Sequence, residues 1–125
     1  MQDEDEIRSI IRTYFECMHE SSAEKAERAF HPAARVTGYL GGDLMNMTAA
    51  QFADFVADQQ PSPSARGLPE HLEVVSLEIA GDTAVARVRD DYLGQRFLDT
   101  LTFLRTDGRW RIHDKLFHVE GPAAG

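Results

Sequence analysis

The apolar residues of this chain change their period once, and that change limits the folds open to it. Before Pro61 the strongest pattern has helical spacing; from Leu72 onward apolar residues alternate with polar ones, the spacing of strands. Helices followed by a run of consecutive strands predict an α+β domain, with the helices gathered on one face of a curved antiparallel sheet.

Ile7, Ile10, Ile11, Tyr14, Phe15 and Met18 fall at i, i+3, i+4, i+7, i+8 and i+11, one apolar stripe on an amphipathic first helix. Asp3, Glu4, Asp5 and Glu6 in its first turn suit the positive end of the helix dipole and otherwise read as a solvated acidic cluster. Ser21 and Glu24 have capping-box spacing and open a second helix running to about Phe30, which Pro32 ends. Residues 35–40 and 44–47 read as a hairpin around Gly41-Gly42-Asp43. Thr48 and Gln51 form a further capping box, opening a third helix with Phe52, Phe55 and Val56 on its apolar face.

The strands that follow place Val75, Leu77 and Ile79 on one face, then run from about Thr83 to Tyr92, from Phe97 to Leu104 and from Arg109 to about Val119. Asp107-Gly108 is the hairpin signal between the last two. In the third of these strands Phe97, Asp99, Leu101 and Phe103 share one face, and Leu98, Thr100, Thr102 and Leu104 the other. Both faces carry apolar groups, more than three helices on one side can bury, so a homodimer covering the outer face is expected.

Composition narrows function more than fold. The 125 residues form one domain, 1–125, and 42% hydrophobic with 27% charged residues exclude a disordered or transmembrane chain. A net charge of −8 argues against nucleic acid and anionic membranes as partners. Cys17 alone forms no internal disulfide, and the segment MQDEDEIRSI has neither the basic nor the apolar part of a signal peptide, so the cytoplasm is the expected compartment.

The order helix, helix, F-H-P-x-A, hairpin, capped helix and a meander closing on D-G-R-W-R-I resembles the nuclear transport factor 2-like superfamily over nearly the whole chain. Within it, Tyr14-Phe15, Phe30-His31-Pro32-Ala33-Ala34, Asp91-Tyr92-Leu93-Gly94, Phe97-Leu98-Asp99, Trp110-Arg111-Ile112 and Lys115-Leu116-Phe117-His118 look like the lumazine-binding branch. The resemblance implies a cone-shaped, cystatin-like α+β barrel, its sheet wrapped around the long first helix and leaving a pocket at the open end. The superfamily also includes ketosteroid isomerase, polyketide cyclases, dehydratases, epoxide hydrolases and members that only bind, so fold does not give function.

Asp99 is the leading candidate for chemistry, a carboxylate among Phe97, Leu101 and Phe103. If that face lines the pocket, the acid can stay protonated and donate to a ligand oxygen, as the superfamily's ketosteroid isomerase does. If it lies at a dimer face, it pairs with Arg96, Lys115 or a backbone N–H. Tyr14 is either a core tyrosine or the matching oxyanion donor. The resemblance stops at the base, for Val36-Thr37-Gly38-Tyr39 holds no carboxylate where that enzyme has one, which disfavours steroid-type isomerisation.

His31 serves either the dipole at a helix end or as a base at the pocket mouth. Asp91 is either a pocket base or part of a surface charge network with Arg87, Arg89 and Arg96; its neighbour Asp90 takes the opposite face, unless a bulge exchanges them. Lys115 is a Schiff-base nucleophile if desolvated, or the ion-pair partner of Asp99 or Asp91. Phe15, Met18, Tyr39, Phe55 and Trp110 complete the expected apolar lining, each also explicable as core.

The five histidines show no H-x-x-x-H spacing and there is no C-x-x-C, so no metal is expected; no cofactor motif, G-x-G-x-x-G, Walker-type or G-x-S-x-G, is present either. The expected function is binding of a compact organic molecule. Two alternatives stand beside it: a cofactor-independent isomerase, dehydratase or cyclase using Tyr14 and Asp99 with His31 or Asp91 as base, and a protein-interaction module.

Overall fold

The computed structural model describes residues 2–123. Helix α1 (Gln2–His19) buries Ile7, Ile11, Tyr14, Phe15, Cys17 and Met18, the stripe read from the sequence. Its acidic first turn is more than solvated charge. Asp3 accepts from the Trp110 indole at 3.2 Å and from Arg105 at 3.0 Å, and Glu6 accepts the Trp110 backbone N–H at 3.0 Å. These bonds pin the start of the helix to the last hairpin.

Helix α2 (Ala23–Ala29) is capped by Ser22, whose side chain accepts from Lys25 N–H, rather than by Ser21. Ser21 has a positive φ of 52° and donates its hydroxyl to the Gln59 carbonyl at 2.6 Å. It therefore ties the α1–α2 corner to the end of α3 (Ala49–Asp58). That third helix has the expected capping box of Thr48 and Gln51.

Six strands form one curved, unclosed sheet in the order β2-β1-β6-β5-β4-β3, with β1 at Phe30–Leu40, β2 at Asp43–Thr48, β3 at Leu72–Ala80, β4 at Thr83–Tyr92, β5 at Gln95–Thr106 and β6 at Arg109–Pro122. The α+β class is as expected. One junction departs from an antiparallel sheet, because β1 and β6 run parallel. These two strands are joined through α3 and the meander, so their relative direction follows that crossover and not a tight turn.

Strand β1 begins at Phe30, earlier than the hairpin pattern suggests. Phe30 pairs with Ile112 and Arg35 with Asp114, so the intervening residues bulge from the ladder. Pro32, which has no N–H to give, sits in that irregular stretch. Strand β3 carries another bulge between Val74 and Ser76. It leaves Val75 exposed, whereas simple alternation puts Val75 inside with Leu77 and Ile79.

A third irregularity matters most. Thr102 pairs with Asp114 and Phe103 with Ile112, leaving His113 as the extra residue of a bulge in β6. The extra residue flips the parity of the strand, so Ile112 and Lys115 both face the helices although three positions separate them. The opposite face carries Leu98 and Leu104, half-buried, and Leu116, which is 57% exposed.

Candidate functional site

Where the inner faces of β4, β5 and β6 pass beneath the C-terminal half of α1, they bring three ionisable groups into the core. Asp99 is 0% exposed, Asp90 1% and Lys115 5%. Val88 pairs with Asp99 while Asp90 pairs with Phe97, which makes the two acids diagonal neighbours on adjacent strands. Leu101 pairs with Lys115 and Asp99 with Phe117, so Lys115 is in turn diagonal to Asp99.

Tyr14 joins the groups from above. Its hydroxyl donates to Asp99 Oδ2 at 2.6 Å and lies 3.5 Å from Asp90 Oδ2. Burial, then the charges of Asp90 and Asp99, push this hydroxyl well above the ordinary tyrosine range. It stays protonated and is committed to Asp99. Burial, followed by the charge of Asp99 and a hydrogen bond to it, raises Asp90 far above the usual carboxylate range. The proton that Asp90 keeps serves the hydrogen bond between the two carboxyl groups. Among the described residues Asp99 Oδ1 has no hydrogen-bond partner.

Among the described residues no carboxylate pairs with Lys115 within 4 Å, contrary to the pairing with Asp99 or Asp91 that its sequence context offered. Its Nζ lies 4.7 Å from the ring centre of Phe52, 4.8 Å from Tyr14 and 5.7 Å from Phe117, with Met18 Sδ at 3.9 Å. Each cation–π contact contributes about 0.5–2 kcal/mol. Removing an ammonium from water costs several kcal/mol. The cage offsets that cost without making the lysine a stabilising element.

The cage opens on an apolar cleft. Val36, Phe52 and Lys115 are its buried part, and Leu40, Met45, Phe55, Leu93 and Phe117 are its more exposed walls. The cleft is narrow, about 30 Å³, space for one or two waters. Gly38 fixes one wall: a Cβ there would stand 2.5 Å from the Phe117 carbonyl oxygen and 2.7 Å from its ring. At the rim, Leu93 occupies the left-handed region with φ of 54°, strained for a leucine. Tyr92, also in the wall, has a buried hydroxyl without a partner.

The other sequence candidates separate. Met18 and Phe55 are at the cage and cleft, as the stripe on α1 and the face of α3 suggest. Phe15 is buried against His19 and Tyr39 is 66% exposed beside a hollow at the β1–β2 turn, so neither lines the cleft. Trp110 belongs to the far end of α1, beside Asp3, and roughly 17 Å of helical rise separates position 3 from Tyr14. His31 lies tilted against His113, ring centres 5.3 Å apart, and its Nδ1 accepts the Ala33 N–H at 3.0 Å, away from the cleft. Asp91 faces opposite to Asp90 and pairs with Arg96 at 2.8 Å. The structure thus brings neither His31 nor Asp91 to Tyr14 and Asp99 as a base.

Asp90 is the acid that alternation along β4 puts with Ala84, Ala86 and Val88, and no bulge exchanges it with Asp91. Phe52 follows in sequence from the apolar face of α3 and Phe117 from the segment Lys115-Leu116-Phe117-His118, but nothing in the sequence points to either as a wall around Lys115. Burial pushes the Cys17 thiol up to about 12, which keeps it unreactive. Among the described residues no group of three or more His, Cys, Asp or Glu is placed to hold a metal ion. No helix there is long and apolar enough to cross a membrane.

Known proteins share this architecture. A nuclear transport factor 2-like protein of unknown function from Silicibacter pomeroyi is 25% identical, with a TM-score of 0.85 covering 95% of this chain and 97% of its own. Another, from Methylobacillus flagellatus, is 25% identical with a TM-score of 0.84, covering 97% and 94%. In sequence the chain is 28% identical over 116 residues to aldolase FrzH of a Cladobotryum species, covering 90% of each. The family model described as "Putative lumazine-binding" matches residues 2–118, and the chain belongs to that family, within the nuclear transport factor 2-like superfamily.

Proposed function

We propose that this protein binds a compact organic molecule in the cleft, with an apolar body held by Phe55, Phe97 and Phe117 and an electron-rich oxygen facing Lys115. The observation that carries this reading is a buried ammonium at the cleft that has no carboxylate within ion-pairing distance. Replacing such a group by an apolar one is commonly neutral or stabilising, so its presence is an expense that fold alone does not explain. Ligands larger than a few atoms require the Leu93 turn and neighbouring side chains to move aside.

Titration of isotope-labelled protein with benzoate and benzyl alcohol, followed by amide NMR, tests the reading. Shifts confined to Phe55, Leu93 and Phe117, lost in Lys115→Met while the variant melts no lower than the parent, are expected. Unperturbed cleft amides at every concentration would refute it.

A second reading is catalytic. Tyr14, Asp99 and Asp90 form a hydrogen-bonded acid network behind the amine, and the similar Cladobotryum protein is named an aldolase. Both point to carbonyl chemistry, in which an ammonium stabilises negative charge developing on oxygen. In this reading the Tyr14 ring, fixed by its hydroxyl on Asp99, backs the lysine instead of meeting the ligand directly. The outer sheet face with Leu98, Leu104 and Leu116 is the surface proposed for a second copy of the chain. A sedimentation mass of one chain would remove that part of the reading.

A further inference from the structure

The chain has only two lysines, Lys25 and Lys115. Their surroundings are opposite. Lys25 is on the surface of α2 and pairs with Glu16 at 2.8 Å and Glu20 at 2.9 Å. Lys115 is buried, faces the cleft, and lies against the rings of Phe52, Tyr14 and Phe117 and the Met18 sulfur. We infer that Lys115 captures an aldehyde or ketone covalently, forming an imine through Nζ at the inner end of the cleft. This rests on the cleft being the ligand site.

Three features favour covalent capture over a purely electrostatic role. A lysine taken out of water among apolar walls is the setting in which the amine acts as a nucleophile. The absence of a carboxylate salt bridge leaves Nζ free to approach a carbonyl carbon, whereas an ion-paired amine is held by its partner. Asp99 lies diagonal to Lys115 and Asp90 diagonal to Asp99 on the neighbouring strands, where carboxyl groups favour the cationic iminium that the reaction leaves on Nζ.

The step balances without any co-reactant. The ammonium first releases a proton to water in the cleft. The amine lone pair then forms the N–C bond as the carbonyl π pair moves to oxygen. Transfer of one proton from nitrogen to that oxygen gives a neutral carbinolamine. The proton released to water returns to the carbinolamine hydroxyl, which leaves as water as the nitrogen lone pair forms C=N, so that ammonium and carbonyl become an iminium on Nζ and one water. The cleft's size selects a carbonyl at the end of a slim, apolar body; a carbonyl flanked by bulky groups on both sides would meet Phe52 and Phe117.

The test uses the full chain with benzaldehyde and sodium cyanoborohydride. Intact mass should show one adduct per chain, a gain equal to the aldehyde less one oxygen atom, and peptide mapping should place it on Lys115 before Lys25. Lys115→Arg, which keeps a cation, should lose this adduct, and Lys25→Arg should retain it. Labelling of Lys25 at the same or greater rate than Lys115 would overturn the inference. If that happens while benzyl alcohol still shifts the cleft amides, only covalent capture fails. If the cleft amides do not move either, the binding reading fails with it.

Discussion

The two ends of α1 treat polar groups in opposite ways. At the N-terminal end Asp3, Glu6, Arg105, Asp82 and Trp110 are joined by paired donors and acceptors, and the charged members remain partly exposed. Toward the C-terminal end Tyr14, Asp90, Asp99 and Lys115 are buried, and among the described residues one acid oxygen has no partner and the amine has no carboxylate within 4 Å. Satisfied, half-exposed networks fasten elements together at little cost. Buried groups with spare capacity cost stability and are kept where a ligand or a reaction completes them. On the proposed reading, the same helix therefore has a structural end and a chemical end.

The largest effect expected from breaking this contrast is at Asp99. Asp99→Ala takes away the acceptor of the Tyr14 hydroxyl and the carboxyl partner of Asp90, leaving two buried polar groups short of a hydrogen bond, and should lower unfolding free energy by about 2–4 kcal/mol. Urea denaturation measures it; a loss no greater than an ordinary surface substitution would mean the chemical end is not electrostatically closed. Next in size is Gly38→Ala. The added methyl must displace the Phe117 ring or the β1–β6 ladder, a cost of about 1–3 kcal/mol. Because Phe117 is also a cleft wall, the variant should lose benzyl alcohol binding in the same NMR titration.

A pH series sharpens the comparison. The folded protein holds the Asp90 proton above the pH at which an unfolded aspartate releases it. The native state then binds more protons than the unfolded one, and the stability from Asp90 falls as pH rises from the ordinary aspartate range toward the raised native value. In Asp90→Asn the amide donates to Asp99 in place of the proton. That variant should be within about 1 kcal/mol of the parent at acidic pH and show a flatter decline toward alkaline pH. Parallel slopes in thermal melts would show that the acids do not share a proton.

Much of this was legible in the sequence, and the gaps have a common origin. The α1 stripe, the Thr48 capping box and the placing of Asp99 on one face with Phe97, Leu101 and Phe103 follow from period and spacing, which backbone geometry enforces, while the turning of that face inward comes from the packing of α1 on the sheet. The inward turn of Lys115 does not. Strict alternation from Ile112 would send it outward, and the His113 bulge that reverses it carries no glycine or proline to mark the spot. The same holds for Val75 in β3. Ser21 and Ser22 compete for one cap, and the choice is made by the tertiary bond from Ser21 to Gln59. The acidic run at 3–6 looked merely solvated because its partners, Arg105 and Trp110, lie about a hundred residues away.

That last network gives the smallest expected effect and the cleanest control for the contrast. Asp3→Ala removes the acceptor of the Trp110 indole and one arm of Arg105, which keeps its second partner Asp82 at 2.7 Å. The guanidinium also remains over the Trp110 ring, 5.3 Å from its centre. With those contacts intact, the loss should be about 1 kcal/mol, the value of a single partly buried hydrogen bond. It should appear in denaturation, and in Trp110 fluorescence as the indole loses its acceptor. The cleft lies toward the other end of α1, so labelling of Lys115 by benzaldehyde should be unchanged, because distant sites sharing no partner behave independently. A drop in Lys115 labelling in Asp3→Ala would show that the helix transmits the state of its fastened end to the cleft, and the division between structural and chemical ends would fall.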